Sequence, residues 1–177
     1  MRVIVSGSLA YDRIMDYPGR FRRHILPGKT HVLNLSFAVP AIAEHFGGTA
    51  GNIAYTLALL GLQPTVVAAA GHDFGIYRRW LRRHGVDLSG VRELRREPTA
   101  SATIITDADD NQIAGFHLGA MRLPGRQPTS RQLRAAALAI VAPGNPQDMR
   151  RLPALYRRVG VPYLFDPGQQ LTALSGS

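Results

Sequence analysis

The sequence predicts an α/β protein with three layers, in which a mainly parallel sheet carries helices on both faces. Apolar runs of strand length recur along the chain, and helix-length segments with one apolar face separate them. Glycine, proline or asparagine stands at most of the boundaries between them. The 177 residues are 45% hydrophobic and 19% charged, so the chain can form one domain with a substantial core.

The first half of the chain contains two predicted strands of the central sheet. Residues 2–6 are apolar almost throughout, which predicts a buried, central position, and residues 64–70 form a second run of this kind. Between them, a helix is predicted to begin at Thr49 and to end before Gly61, because alanine and leucine dominate this segment and glycine is the usual residue after a helix. These elements predict a strand–helix–strand unit.

The second half continues the alternation. Asp73 is predicted to cap a helix over residues 74–84, and Thr129 or Ser130 is predicted to begin a short helix. The remaining predicted elements are a buried strand over 138–142, a helix from Pro146 to about Val159, and a buried strand over 161–165.

Two regions interrupt this alternation with strands of antiparallel character. Residues 31–39 alternate between apolar and polar side chains, which predicts a strand with one polar face. Residues 101–106 and 112–118 flank a turn rich in aspartate, which predicts a hairpin. We find no internal repeat.

Composition limits the possible functions. Cysteine is absent, which excludes disulfides and thiolate metal sites and agrees with a cytoplasmic location. We expect no membrane span, because no apolar stretch approaches about 18 residues, and the six histidines lack metal-ligand spacing. The net charge is +9, and 20 of the 21 basic residues are arginines. We interpret them as a solvated surface, with a phosphate-binding patch as the alternative, and nucleic acid is not the expected partner.

Three segments place polar groups where a ligand is expected. Asp12 follows the first strand, Asp166 follows the last, and the pair Gly47-Gly48 precedes the helix that contains Asn52. Ligands of open α/β sheets bind beyond the carboxyl ends of the strands, so these groups are expected to face one crevice. The free N–H groups of the helix start would favour polar or anionic ligands. The alternatives are that the glycines only shape a turn and that Asp12 caps one.

These segments, together with the ending Asp166-Pro167-Gly168-Gln169-Gln170-Leu171, resemble the N-terminal part of the PfkB (ribokinase-like) family of sugar and nucleoside kinases. The ending and Leu35-Ser36-Phe37 are most similar to the bacterial adenosine kinase branch. The resemblance extends over residues 1–177. It implies a ribokinase-like fold in which strands within 13–39 and 101–118 form a small β-sheet lid over the substrate.

The resemblance also implies site residues. Asp12 would accept hydrogen bonds from sugar hydroxyls, and Gly47, Gly48 and Asn52 would line the sugar. The remaining implied substrate-binding residues are Ser8, Ser36, Phe116, Gln169 and Gln170. For Ser8 and Ser36 the alternative is a hydroxyl-to-backbone hydrogen bond, and for Phe116 it is packing within the lid. Ala102 stands where adenosine kinases often carry a second stacking aromatic, so a base would be stacked on one side only.

The resemblance implies ATP and Mg²⁺ as well, but the family segments that supply the catalytic aspartate, the phosphate cradle and the magnesium ligands are absent from residues 1–177. We therefore expect the substrate-binding half of a nucleoside kinase, inactive alone, with no catalytic residue and one unpaired edge of the central sheet. A sugar kinase of the ribose or fructose type and a non-catalytic nucleoside-binding protein are the alternatives. A homodimer through the lid is expected, because the lid strands have an apolar face to bury.

Overall fold

The computed structural model describes residues 1–25, 28 and 35–173. Within this part of the chain there are nine β-strands and four α-helices. The strands are β1 (Arg2–Ser6), β2 (Ala10–Asp16), β3 (Ala43–Gly47), β4 (Gln63–Ala70), β5 (Asp87–Glu93), β6 (Ala100–Thr106), β7 (Gln112–His117), β8 (Ala136–Val141) and β9 (Tyr163–Phe165). The helices are α1 (Thr49–Leu59), α2 (Gly75–Arg83), α3 (Ser130–Ala135) and α4 (Pro146–Val159).

The central sheet has the strand order β5-β4-β1-β8-β9, and all its pairs are parallel. Successive residues of β1 face opposite sides of this sheet. Val3 and Val5 belong to a buried cluster that includes Leu81 of α2, whereas Ile4 belongs to a second cluster that includes Leu152 of α4. The sheet is therefore covered on both faces, which confirms the predicted three-layer α/β architecture.

A second, smaller sheet has the order β3-β2-β6-β7. The pair β2–β6 is parallel and the other two pairs are antiparallel. The predicted hairpin of β6 and β7 is confirmed, but residues 35–39 form no strand, and residues 31–34 lie outside the described residues. The Phe37 ring instead stacks on Tyr17 at 4.3 Å and on Phe21 at 5.5 Å. The apolar alternation of this segment thus reflects packing on an aromatic cluster.

The helix ends show one wrong prediction. The side chain of Asn145 accepts hydrogen bonds at the start of α4, and Thr129 caps α3 as predicted. Asp73 does not cap α2. Its carboxylate accepts hydrogen bonds from the Thr99 amide at 2.8 Å and the Thr99 hydroxyl at 2.6 Å, and so joins the start of α2 to the segment before β6.

Strand β9 forms one edge of the central sheet and, among the described residues, pairs only with β8. Its residues Leu164 and Phe165 are 59% and 41% exposed, whereas Ala139 and Val141 of the neighbouring β8 are buried. Within the described ranges, no helix is long and apolar enough to cross a membrane.

Candidate functional site

A cavity of about 470 Å³ lies between the small sheet and the carboxyl ends of β1 and β8. This volume is typical of small-molecule sites, and the position follows the rule for ligands of open α/β sheets. The cavity includes six of the nine predicted site residues. Its lining residues are Ser8, Ala10, Asp12, Gly48, Thr49, Asn52, Phe116, Leu118, Met121, Pro143, Gly144, Gly168 and Gln170.

Asp12 brings a carboxylate into this cavity. It lies inside β2, and within the described residues its carboxylate accepts no hydrogen bond, so the interpretation as a turn cap is wrong. Burial raises the pKa of Asp12, and the charge of His45, its register partner on β3, opposes part of this rise. A half-buried carboxylate with free lone pairs can accept hydrogen bonds from vicinal hydroxyl groups.

Gly47 does not line the cavity but determines where the Asp12 carboxylate lies. A Cβ built on Gly47 would overlap with the carboxylate oxygens of Asp12, so only glycine leaves room for them. The carbonyl of Gly47 also accepts a hydrogen bond of 3.0 Å from the buried hydroxyl of Tyr77. Burial, followed by the negative charge of Asp12, raises the pKa of Tyr77, which keeps that hydroxyl protonated as a donor.

Gly48 is required by a close approach of the chain to itself. Its φ is 89°, and a Cβ there would stand 2.6 Å from the Ser8 carbonyl oxygen and 2.7 Å from the Ala10 nitrogen. No other residue combines this backbone conformation with the absence of a Cβ. The glycine pair thus joins the small sheet to α1, with Gly47 fitting Asp12 and Gly48 fitting the end of β1.

The expectation that the start of α1 offers free N–H groups to a ligand is wrong. The Ser8 hydroxyl accepts a hydrogen bond of 2.9 Å from the Thr49 amide, and the Ser8 carbonyl accepts one of 3.0 Å from the Ala50 amide. The amides of Gly51 and Asn52 are bonded to Ser8 and Gly48. Ser8 therefore lines the cavity but caps a helix 41 residues away, as the hydroxyl-to-backbone alternative for this residue predicts.

Two amide side chains add donors and acceptors to the cavity. Asn52, in the first turn of α1, is exposed, and its side-chain amide has no hydrogen-bond partner among the described residues. Gln170 is half-buried and lines the cavity from the 3₁₀ turn Gly168–Ala173. The side chain of Gln169 lies outside the described part of the structure.

Phe116 provides an open aromatic surface at the mouth of the cavity. Phe116 is 52% exposed and its ring forms no aromatic pair with any described residue, so it does not pack in the interior of the small sheet. In register, Asp12 lies opposite Ala102, and Ala102 lies opposite Phe116. Directly opposed residues share one face of a sheet. Asp12, Ala102 and Phe116 therefore form one row, with the smallest side chain in the middle.

Ser36 is not brought into the site. It is solvent-exposed and is not among the residues that line the cavity. The physical reason is its neighbour Phe37, whose ring fixes this segment on the aromatic cluster formed by Tyr17 and Phe21. The predicted contact of Ser36 with a ligand therefore stays a prediction.

Sequence reasoning missed several residues of the site. Strand β3, which runs into the glycine pair and places His45 opposite Asp12 in register, was not predicted. Pro143 and Gly144 at the end of β8, and Leu118 after β7, also line the cavity. Their positions at the ends of predicted strands are the signal that could have found them.

The cavity is thus built for a ligand with hydroxyl groups and a flat surface. Asp12 supplies the acceptors, Asn52 and Gln170 supply amide groups, and Phe116 supplies an aromatic face. Among the described residues, no three His, Cys, Asp or Glu side chains cluster closely enough to hold a metal ion.

Comparison with known proteins agrees with this arrangement. Residues 2–149 match the pfkB family carbohydrate kinase profile. Over 147 residues the chain is 33% identical to a nucleoside kinase of Methanothermobacter thermautotrophicus, covering 81% of the chain and 48% of that protein. The structure of the Burkholderia thailandensis nucleoside kinase in complex with inosine is 38% identical, with a TM-score of 0.78 over 98% of this chain and 55% of the other.

A nucleoside kinase of Methanocaldococcus jannaschii, described as an archaeal member of the ribokinase family, is 27% identical. It superposes with a TM-score of 0.79 and covers 98% of this chain and 55% of the other. The chain therefore spans about half the length of the relatives it matches.

Proposed function

The chain belongs to the pfkB family of carbohydrate kinases, and we propose that it supplies the substrate-binding half of a kinase that phosphorylates the 5′-hydroxyl of a ribonucleoside, with adenosine as the first candidate. The observation that carries the proposal is the row of Asp12, Ala102 and Phe116 across one face of the small sheet. Its two ends are a carboxylate and a ring that, among the described residues, lack partners. The nucleoside kinases among the similar proteins support the same substrate class.

The dimensions of this row suit a sugar that carries a base. Neighbouring strands lie about 4.8 Å apart, so the backbones at Asp12 and Phe116 are separated by about 10 Å across β6. The ribose hydroxyls would bind the Asp12 carboxylate and the Asn52 amide, and the base would stack on Phe116 with Gln170 beside it. Because Ala102 offers only a methyl group, the base has an aromatic neighbour on one side.

Phosphoryl transfer requires more than the described residues provide. The family implies ATP, and with it Mg²⁺, but among the described residues Asp12 is the only carboxylate that lines the cavity, and the N–H groups at the start of α1 are already bonded within the chain. The described residues do not fit a Mg-ATP site, so we derive no step through it. We propose that residues 1–177 bind the substrate and do not catalyse transfer alone.

Calorimetric titration of the chain with adenosine, inosine and ribose tests this proposal. We expect the nucleosides to bind and Phe116→Ala to weaken that binding by about 1–3 kcal/mol, the value of one stacking contact. The same substitution should leave any binding of ribose unchanged. Ile113→Ala, on the same strand but outside the cavity, is the matched control. Equal affinity for nucleosides and ribose, with no effect of Phe116→Ala, would contradict the proposal.

A sugar kinase is the second candidate, and Ala102 is the observation that favours it. With a methyl group in the middle of the row, the base-binding end has a single aromatic ring. Ribose or fructose would still find the Asp12 carboxylate and the Asn52 amide. In this case the calorimetric titration would show stronger binding of a free sugar than of adenosine.

Association of two chains through the outer face of the small sheet is part of the proposal. Met15, Ile105 and Ile113 lie opposite one another on the face turned away from Asp12, and Ile113 is 43% exposed. An apolar row on an open sheet is a usual site of association. Light scattering should report a dimer that Ile113→Glu dissociates, and a monomer at all concentrations would contradict this part.

A further inference from the structure

A second cavity is larger than the one discussed above. It has a volume of about 660 Å³ and lies at the amino ends of β1, β4 and β5, where α3 begins. The substrate cavity lies at the opposite, carboxyl ends of the parallel strands. The two cavities share no lining residue, so the proposed kinase function leaves the larger one without a role.

Two arginines from different elements line this cavity. Arg2 is the first residue of β1, and Arg131 lies on α3. The Nε of Arg2 donates a hydrogen bond of 3.2 Å to the neutral side chain of Gln63. Neither guanidinium forms an ion pair with another described residue. Both therefore retain most of their donors for a ligand.

Other polar residues that line this cavity are held in place by hydrogen bonds with one another. Gln132 Nε2 donates to Ser89 Oγ at 2.8 Å, which ties α3 to β5 across the cavity. The one carboxylate in the lining, that of Asp87, accepts hydrogen bonds from the Thr65 hydroxyl at 3.1 Å and the Ser89 amide at 2.9 Å. Asp87 thus stabilises the edge of the sheet, and the arginines give the cavity its charge.

We propose that this cavity is a second binding site, for a small organic phosphate ester. Guanidinium groups present paired donors that match phosphate oxygens, and they keep their charge at any physiological pH. A volume of about 660 Å³ exceeds the need of a bare phosphate ion and accommodates an attached organic group. This inference does not depend on the proposed kinase function, because the site shares no residue with the substrate cavity.

Isothermal titration with glycerol 3-phosphate tests the proposal, with glycerol and inorganic phosphate as parallel probes at constant ionic strength. Glycerol 3-phosphate carries the ester together with a vicinal diol, so the variant Asp12→Asn is needed to report any binding in the substrate cavity. We expect it to bind more tightly than inorganic phosphate, and glycerol not to bind. The double variant R2Q/R131Q should weaken its binding at least tenfold.

Two further variants make the result decisive. R157Q/R158Q removes the same charge from α4, where both arginines are exposed and, among the described residues, form no ion pair, and it should leave the affinity unchanged. Asp12→Asn alters only the substrate cavity and should also have no effect. The proposal is overturned if the wild type does not bind the ester, if both double variants lose affinity equally, or if inorganic phosphate binds as tightly as glycerol 3-phosphate.

Discussion

The central sheet and the small sheet use their polar groups in opposite ways. At the end of β1, the hydroxyl, amide and carbonyl of Ser8 all take part in hydrogen bonds that hold the start of α1. On the small sheet, and within the described residues, the Asp12 carboxylate accepts no hydrogen bond and the Phe116 ring pairs with no other aromatic ring. This difference supports the proposal that the small sheet carries recognition, whereas the polar groups of Ser8 stabilise the junction with α1.

Gly48→Ala is expected to have the largest effect, since it acts where the two sheets meet. A Cβ at Gly48 would clash with backbone atoms of Ser8 and Ala10, which cannot move without displacing β1 or β2. We expect the free energy of unfolding in urea to fall by about 3 kcal/mol or more.

Gly61→Ala is the matched control for this prediction. Gly61 has a φ of 78°, and no atom lies within 4 Å of a Cβ built there. The substitution should cost only about 1 kcal/mol, the strain of a left-handed backbone. Equal losses at the two positions would show that the close approach at Gly48 does not matter and that backbone conformation alone sets the cost.

Asp12→Asn separates recognition from stability. Affinity for adenosine should fall by about 1.5–3 kcal/mol, the value of hydrogen bonds to a charged group, as measured by titration calorimetry. The urea midpoint should stay the same or rise, because burial raises the pKa of Asp12 and so disfavours the ionised form in the folded state. A drop in stability as large as the drop in binding would assign Asp12 a structural role.

The pH dependence of binding follows from the same raised pKa. The Asp12 carboxylate becomes protonated as the pH falls through its pKa, which burial raises above the ordinary value of 3.8. Adenosine affinity should therefore fall as the pH is lowered through that pKa, and Asp12→Asn should remove this dependence. A pH profile that survives in the variant would point to another titrating group.

Replacing either of two buried tyrosines by phenylalanine should change the free energy of unfolding by a smaller amount, and the two changes should differ in sign. The Tyr77 hydroxyl donates to the Gly47 carbonyl, so Tyr77→Phe should lower the free energy of unfolding by about 1 kcal/mol. The Tyr156 hydroxyl is buried and has no hydrogen-bond partner among the described residues. Tyr156→Phe should therefore leave stability unchanged or raise it by about 1 kcal/mol. A loss in both variants would indicate a partner for the Tyr156 hydroxyl, such as an ordered water.

The smallest predicted effect concerns the stability of the β6–β7 turn around Asp107 and appears only at acidic pH. Burial alone would raise the pKa of Asp107, but hydrogen bonds from the amides of Phe21, Asn111 and Asp109 lower it to about 2. A lowered pKa in the folded state means that ionised Asp107 stabilises the hairpin at pH values above 3.8, and that this contribution disappears as the pH falls toward about 2.

Hydrogen exchange measured against pH can detect this change. Protection of the amides in the β6–β7 turn should weaken as the pH falls from about 4 to about 2. The amides of β1 and β4 should remain protected. In Asp107→Asn the turn should be weakly protected at every pH. Parallel loss in the turn and in the central sheet would contradict a local role for Asp107.

The central sheet could be predicted from the sequence because burial on both faces leaves a clear pattern. Residues 2–6 and 64–70 are nearly continuous apolar runs, and both form strands. Strands β3 and β5 carry polar residues such as Glu44, His45 and Asp87 and escaped prediction. These strands form because a neighbouring strand pairs with them, and single-sequence patterns do not record pairing.

The sequence allowed prediction of those cavity residues whose type is required at their position in the fold. Gly48 must be glycine, and Asp12, Asn52 and Phe116 come together in one cavity as the motifs imply. Ser36 does not join them, because packing of the neighbouring Phe37 ring decides where that segment lies. The role of Ser8 as a cap for α1 also depends on a contact between residues distant in sequence, which local motifs do not reveal.

The most direct test of the contrast between the two sheets is a nuclear magnetic resonance titration of the ¹⁵N-labelled chain with adenosine. The account predicts that the amides of Asp12, Ala102 and Phe116 shift together and saturate with one affinity, while those of β4 and β5 stay unchanged. Shifts confined to the central sheet, or none in the row from Asp12 to Phe116 at saturating adenosine, would contradict the claim that the small sheet carries recognition.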